Sequence, residues 1–199
     1  PDFLALPEIP VRLSASKIVQ LLTDPEGFYQ QLLRPMPQLF SDSARLGSEF
    51  HASLEQAFLE GSELDLSAWS EEHKELGQNF AQSNFANQKP FAVELPIEFS
   101  LGESVVVCKL DAVFETQSGY LVVDWKSGHT PKAEDLATRS IQLALYRIGL
   151  ARLLGVGVER IEAAFYFAGD NTEVRPDLAP EAELEKRLLE LRRAPLQRS

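Results

Sequence analysis

Apolar residues recur at helical spacing along the first ninety positions of the chain. In segment 43–60 they occur every three or four residues, at Leu46, Phe50, Leu54, Ala57 and Phe58. This spacing predicts an amphipathic helix, and Gly61 directly after it is a typical helix stop. A second such pattern predicts a helix over 67–88 with Ser67 as its N-cap and an apolar side formed by Trp69, Leu76, Phe80 and Phe85.

Two shorter helices are expected ahead of these. The first twelve residues contain Pro7 and Pro10 and indicate an irregular lead-in over 1–12. Ser14 is then positioned to cap one helix, and Asp24 followed by proline is positioned to cap the next.

The pattern changes after Pro90, where valine and aromatic residues become frequent. Short polar turns divide them into three segments that favour an antiparallel β-meander, at 91–99, 104–115 and 120–126. The rest of the pattern predicts a helix over 133–154 ended by Gly155, a strand over 161–167 and a helix over 180–193. We therefore expect one α/β domain over 1–199, with a helical part at 13–89 and the sheet-containing core at 90–199.

Composition and charge limit the classes of function. The chain has 19 basic and 30 acidic side chains and a net charge of -11, the wrong sign for a domain that holds nucleic acid with its whole surface. The single cysteine, Cys108, fits a reducing cytoplasm. No apolar run reaches the roughly 20 residues that cross a bilayer. Because the chain starts at Pro1 instead of methionine, we expect a piece of a longer protein.

Two acidic residues fall opposite each other if the strands on either side of the TQSG turn form a hairpin. Symmetry about the centre of that turn pairs Asp111 with Asp124, with Cβ atoms about 5 Å apart on one face. Lys126 shares this face, whereas Trp125 points to a core layer on the other. Two ionised carboxylates at that distance repel by about 3 kcal/mol at an effective dielectric near 20, so a positive charge must lie nearby. Either Lys126 supplies it in a salt-bridged patch, or the pair holds a divalent cation.

The chain has an aspartate, twelve intervening residues and then Asp-x-Lys across a hairpin. This pattern resembles the signature of the PD-(D/E)XK nuclease superfamily. Two further motifs extend the likeness. LGSEFHASLEQAF resembles the G-x-x-x-H-x-x-L-E helix of RecB-type nucleases, and QLALY at 142–146 resembles their Q-L-x-x-Y motif. The resemblance implies a restriction-endonuclease-like core, in which a mixed sheet with an antiparallel meander is flanked by helices.

The resemblance also implies a metal-dependent hydrolysis of DNA and the residues that carry it. His51, Asp111 and Asp124 would bind Mg²⁺ or Mn²⁺, joined by the carbonyl oxygen of Trp125, and Lys126 would be catalytic beside the attacking water. Taken without the family pattern, His51 would be interpreted as an ordinary histidine at the edge of a core.

Several polar residues would line the DNA-facing side of such a site. Gln142 and Tyr146 are one helical turn apart and share a face with Arg139, which could also be an ordinary polar helix surface. Glu94 matches an acidic position upstream of the first aspartate. Glu55 is interpreted as a helix-surface charge.

The wider sequence is similar to one branch of this superfamily. Segments spread over about 13–178 resemble the C-terminal nuclease domain of the AdnB-type (UvrD/Rep-like) helicase-nucleases of actinobacteria. That likeness implies an exonuclease domain that processes DNA ends in double-strand break repair and recombination. Its partners would be single-stranded DNA, ATP-dependent helicase domains of the same chain and a second, AdnA-like subunit, with no membrane. Asp24 stands where some relatives begin a set of iron-sulfur cysteines, so no iron-sulfur cluster is expected.

Two other functions are compatible with the sequence. A catalytically degenerate nuclease fold could bind DNA ends or a partner subunit without cutting, although the retained Asp111, Asp124 and Lys126 argue against it. A stand-alone RecB-like exonuclease, similar to the CRISPR-associated type, is a third interpretation.

Overall fold

The computed structural model describes residues 7–35, 42–67 and 69–193. The helices are α1 Ala15–Thr23, α2 Pro25–Leu33, α3 Asp42–Glu60, α4 Glu71–Ala81, α5 Ala133–Leu154 and α6 Glu181–Arg193. The strands are β1 Arg12–Ser14, β2 Ala92–Leu101, β3 Ser104–Glu115, β4 Tyr120–Lys126, β5 Ile161–Phe167 and β6 Thr172–Val174, and a 3-10 helix spans Val158–Arg160. Within these ranges, no helix combines the length and the apolar character that crossing a membrane requires.

The strands form one mixed sheet organised around β3. β2 pairs antiparallel along one edge of β3, so β1 and β4 must share the other edge. β1 runs parallel to β3 at residues 105–107, and β4 runs antiparallel to it at residues 112–115. β5 then pairs in parallel with β4, and β6 pairs antiparallel with β5. This sheet confirms the predicted α/β class and the predicted meander of β2, β3 and β4.

Helices cover both faces of the sheet. On one face the larger core includes Ile18 of α1, Phe28 of α2, Leu145 of α5 and Leu184 of α6. On the other face a smaller core surrounds Trp125 and includes Phe50 and Leu54 of α3 and Leu76 and Phe80 of α4. Burial of each such side chain contributes about 1.5–3 kcal/mol, so the two cores hold α3 and α5 firmly on opposite sides of β4.

The predicted helix ends are confirmed at four positions. Ser14 Oγ accepts a hydrogen bond from the Lys17 N–H at the start of α1, and Asp24 Oδ1 accepts one from the Gly27 N–H at the start of α2. α3 stops before Gly61 and α5 before Gly155, whose φ values are 63° and 66°. These left-handed conformations are ones that glycine adopts without steric cost.

The helix predicted over 67–88 is wrong at both ends. α4 covers only Glu71–Ala81, and its N-cap is Ser70 instead of Ser67. The Ser67 N–H donates to Asp65 Oδ1 in the turn before the helix. The apolar pattern continues past the end of α4 because Phe85, in the turns after the helix, is still buried in the core around Trp125.

The sequence pattern does not predict β1 or β6. Each has three residues, which is too short for an alternating pattern to be visible. Arg12 belongs to β1, although the sequence predicts an irregular lead-in over 1–12. Residues 1–6 of that lead-in lie outside the described ranges.

Candidate active site

β3 and β4 pair in the predicted register. Their paired residues are those expected from a turn centred in TQSG, and the pairing ends at Ala112 and Val123, one step before the predicted pair of Asp111 and Asp124. Trp125 belongs to the core under α3 and α4, so Asp124 and Lys126 project from the other face of β4. The prediction that these two charges share a face, and that Trp125 points away from it, is confirmed.

Asp111 interrupts the regular hairpin. Its Oδ2 accepts a hydrogen bond from the Trp125 N–H at 2.8 Å, so a side chain replaces a main-chain acceptor of β3. Leu110 and Val113 both belong to the larger core although they are three positions apart. In a regular strand such residues point to opposite faces, so the backbone of β3 must change orientation between them.

Glu94 lies across from Asp111 in an equally distorted part of β2. Pairing with β3 is present on either side, at Val93 and Leu95, but not at Glu94. The φ of Glu94 is 50°, a left-handed conformation that costs a non-glycine residue about 1–2 kcal/mol. The strained residue presents a mostly buried carboxylate to the same place as Asp111.

α3 carries His51 to this distorted part of the sheet. Phe50 and Leu54 are buried in the core around Trp125, and this burial fixes the rotation of the helix. A Cβ atom on Gly47 would lie 3.4 Å from Ser127 Oγ, so the first turns of α3 approach the end of β4 closely.

His51 contacts both neighbouring strands. Its Nε2 lies 2.8 Å from the carbonyl oxygen of Trp125, and its Nδ1 lies 3.5 Å from Asp111 Oδ1. Burial alone lowers the pKa of His51, but the bond to Asp111, the charges of Asp111 and Asp124 and the bond to Trp125 together raise it above its ordinary value. When Nε2–H donates to Trp125, Nδ1 faces a carboxylate oxygen, and that contact is favourable only with a proton or a cation between the two atoms.

His51, Glu94 and Asp111 form a compact set of candidate metal ligands. One ligand atom from each lies within 4.8 Å of the other two. The set predicted from the sequence was His51, Asp111 and Asp124 with the Trp125 carbonyl. In the structure Glu94, expected only to line the site, joins this cluster. Asp124 is next to the cluster but outside it, and the Trp125 carbonyl accepts from His51.

Asp124 is buried with Lys126 at its side. Lys126 Nζ lies 2.7 Å from Asp124 Oδ2 in an ion pair, and by geometric criteria Oδ2 has no hydrogen-bond partner among the described residues. Burial raises the pKa of Asp124 to about 6. The charge of Asp111 adds to this effect, and Lys126 and His51 oppose it. The pair is the salt bridge that is one of the two interpretations of the sequence. The buried Oδ2 of Asp124 can nevertheless still accept a hydrogen bond.

Gln142 and Tyr146 lie on the same face of α5, as predicted. Gln142 Nε2 donates to Tyr146 Oη at 2.6 Å. Burial raises the pKa of Tyr146, and the charges of Asp124 and Asp111 raise it further, so its hydroxyl remains a hydrogen-bond donor. Arg139 is exposed, near the start of the same helix. Contact of these side chains with DNA stays a prediction.

An open groove of about 470 Å³ leads to the ligand cluster. It is lined by His51, Glu94 and Asp111 and by Ala44, Gly47, Ser48, Ala52, Glu55 and Lys109. Lys109, which no sequence motif singles out as a site residue, forms an ion pair with Glu94, and this contact raises the pKa of Lys109. Glu55 lines the groove and is not simply a helix-surface charge. Its position one turn after His51 is the sequence signal that could have shown this.

A family model described as the PD-(D/E)XK nuclease superfamily matches residues 67–198. The chain belongs to this superfamily. The matched part of this PD-(D/E)XK domain contains Glu94, Asp111, Asp124, Lys126 and all of α5, whereas His51 precedes it. No curated protein sequence matches the chain.

Solved structures share the fold of this PD-(D/E)XK domain. The crystal structure of SSO0001 has a TM-score of 0.52 and 15% identity, covering 93% of this chain and 77% of that one. The crystal structure of a protein from Eubacterium rectale that is named as a candidate exonuclease has a TM-score of 0.56 and 13% identity. The match covers 92% of this chain and 77% of that one. At such identities the likeness concerns the fold alone, and it agrees with the predicted restriction-endonuclease-like architecture.

The donors of the site fit a divalent metal ion, which PD-(D/E)XK nucleases typically use. Two carboxylates and one imidazole come from three different elements, α3, β2 and β3, so their spacing is fixed by the fold. Carboxylate oxygens are preferred ligands of Mg²⁺ and Mn²⁺. The buried Oδ2 of Asp124, without a hydrogen bond among the described residues, adds an acceptor next to them.

Proposed function

We propose that this domain is a deoxyribonuclease that hydrolyses phosphodiester bonds with Mg²⁺ or Mn²⁺. One observation carries the proposal. Ligand atoms of His51, Glu94 and Asp111 lie within 4.8 Å of one another, and all three residues line an open groove. Because the chain belongs to the PD-(D/E)XK nuclease superfamily, we interpret this cluster as the metal site of a nuclease.

The residues divide the chemistry among them. A bound ion supplies Lewis acidity, which polarises a phosphate and lowers the pKa of water. His51, Glu94 and Asp111 would hold the ion, with Asp124 and the Trp125 carbonyl beside them. Lys126 would stabilise the negative charge that develops on the phosphate. Gln142 and Tyr146 would donate hydrogen bonds to the strand from α5.

The domain's biological setting is the finer part of the proposal. It would be the exonuclease module of an AdnB-type helicase-nuclease that processes DNA ends in the cytoplasm, with an AdnA-like second subunit. The sequence likeness over about 13–178 supports this, and so does the net charge of -11. A helicase motor that holds the strand raises its local concentration at the site, so the nuclease surface need not attract DNA.

A degenerate module that binds DNA ends or a partner subunit without cutting is the second candidate. It is favoured by the ion pairs of Lys126 with Asp124 and of Lys109 with Glu94. These pairs neutralise two of the carboxylates without any metal.

Cleavage of a labelled single-stranded oligonucleotide by this chain separates the two candidates. We expect cleavage with Mn²⁺ and none with EDTA, and a loss of about 100-fold or more in Lys126→Ala, the usual effect of removing one charge-stabilising group. Lys89→Ala, which changes an exposed lysine that does not line the groove, should keep the wild-type rate.

A second measurement tests the metal site itself. Mn²⁺ should raise the melting temperature of the wild type and of Lys126→Ala but not of Asp111→Asn, which keeps an acceptor for the Trp125 N–H. Cleavage at the wild-type rate in Lys126→Ala contradicts the assigned mechanism. DNA binding with neither Mn²⁺ stabilisation nor cleavage favours the degenerate module.

A further inference from the structure

A second pocket, of about 270 Å³, lies beside the candidate active site. It is lined by Arg45, Glu49, Trp69, Ser70 and His73, none of which the proposed hydrolysis uses. We propose that this pocket binds one nucleobase of the single-stranded DNA substrate. The inference rests on the proposed deoxyribonuclease function, which supplies DNA as the ligand.

The tryptophan ring is fixed in place before any ligand binds. Trp69 packs at the margin of the core that surrounds Trp125. Its ring centroid lies 5.7 Å from that of His73, with the ring planes at 72°. A Cβ atom on Gly77 would come within 3.2 Å of the Trp69 ring, so this glycine leaves room for the ring against α4. A fixed aromatic ring at the wall of a cavity is a platform on which a base can stack.

The polar groups of the pocket match the edge of a base better than a phosphate. His73 Nδ1 lies 2.8 Å from Ser70 Oγ, and its Nε2 lies 3.2 Å from Glu49 Oε2. That Nε2 is buried and has no well-aligned hydrogen bond within the described ranges. Glu49 pairs with His73 and, at 3.6 Å, with Arg45. The pocket wall therefore combines acceptors with donors, which is the mixture that base edges complement. The Glu49 carboxylate would repel a phosphate.

The two sites share the first turns of α3. Gly47, Ser48 and His51 of this helix line the groove, whereas Arg45 and Glu49 line the pocket. The separation is therefore about one helix diameter, on the order of 10 Å. A strand with a phosphate in the groove can reach the pocket with a base about one or two nucleotides away.

Tryptophan fluorescence tests the proposal without relying on cleavage. The chain has two tryptophans, and Trp125 is only 2% exposed, so a change in emission on adding DNA that disappears in Trp69→Phe reports Trp69. We expect oligo(dT) in the presence of Ca²⁺ to quench this emission. An oligonucleotide with an abasic position that removes the stacked base should bind without quenching it.

Affinity provides a second readout. Trp69→Ala should weaken oligonucleotide binding by about 5- to 100-fold, the equivalent of one lost stacking contact. Trp69→Phe keeps an aromatic face and should stay within about 3-fold of the wild type, which separates stacking from misfolding. Ser70 is left unchanged because it also caps α4.

If Trp69 emission is unchanged when DNA is added, the proposal that the pocket binds a base is wrong. Equal quenching by intact and abasic strands also contradicts it. Mn²⁺-dependent cleavage, measured on the same preparation, is a separate result. Quenching without cleavage supports the pocket and contradicts the nuclease proposal, whereas cleavage without quenching contradicts the pocket alone.

Discussion

At the scale of single residues, Asp124, Glu94 and Asp111 each have a basic side chain beside the carboxylate. Lys126 pairs with Asp124, Lys109 pairs with Glu94, and His51 faces Asp111. This arrangement explains how the fold tolerates several acids in one place. It also means that a divalent ion must compete with these pairs, so metal binding depends on pH and on the neighbouring lysines.

Asp124 should make the metal-free protein less stable as the pH rises from about 4 to 6. Burial raises its pKa from 3.8 to about 6, so in this range the folded state holds the proton that the unfolded chain has released. The free energy of unfolding therefore falls with increasing pH. Since one pKa unit equals about 1.4 kcal/mol, we expect the wild type to lose about 2 kcal/mol relative to Asp124→Asn over this window. Urea unfolding in EDTA at several pH values measures this, and parallel pH profiles for the two proteins would contradict it.

Lys109 should weaken metal binding because it holds Glu94. Its ammonium pairs with that carboxylate, and Lys109→Gln frees the carboxylate and removes a positive charge near the ion. A partly exposed ion pair is worth up to about 1 kcal/mol, so we expect Mn²⁺ to bind about 3- to 6-fold more tightly. Titration followed by the electron paramagnetic resonance of free Mn²⁺ measures the affinity. Lys89→Gln should leave it unchanged, and weaker binding in Lys109→Gln contradicts the competition.

At the scale of elements, the sequence predicts what local signals determine. The TQSG turn defines the register of β3 and β4, and Gly155 defines the end of α5. Glu94 could not be assigned to the ligand cluster, because its position depends on a left-handed φ that no local residue type signals. Lys109 was missed for a similar reason, since its partner lies on a neighbouring strand. Asp111 also lies where β3 departs from regular pairing, so the family motif, and not the local strand pattern, selects it.

The corrected start of α4 gives a prediction for this element. Ser70 Oγ accepts from the His73 N–H, whereas the Ser67 hydroxyl caps nothing in the helix. Loss of an N-cap costs about 1 kcal/mol, so Ser70→Ala should lower the free energy of unfolding by about that amount. Ser67→Ala should change it by less than about 0.5 kcal/mol, as surface substitutions usually do. Urea unfolding of both variants measures the difference, and equal losses would contradict a cap at Ser70.

At the scale of the whole molecule, the proposed DNA site is a small region of an acidic protein. The net charge is -11. Among the described residues, Lys109 is the lysine that lines the groove, while Lys126 pairs with Asp124 and Arg139 is exposed on α5. Such a surface can neutralise few phosphates. A strand would be positioned by the metal site and the base pocket, with delivery left to the rest of the proposed assembly.

The salt dependence of single-stranded DNA binding tests this view of the molecule. For single strands the slope of log affinity against log salt is about -0.7 per neutralised phosphate, so two phosphate contacts predict a slope of about -1.4. Anisotropy of a labelled oligonucleotide between 50 and 200 mM KCl, with Ca²⁺ present, measures the slope. Arg139→Gln should make it shallower by about 0.7, because this exposed residue lies on the predicted DNA-facing side. Lys186→Gln, on α6 and near Glu190, is the matched control and should leave the slope unchanged. A wild-type slope steeper than about -4 would require an extended basic track and contradict a local site in an acidic surface.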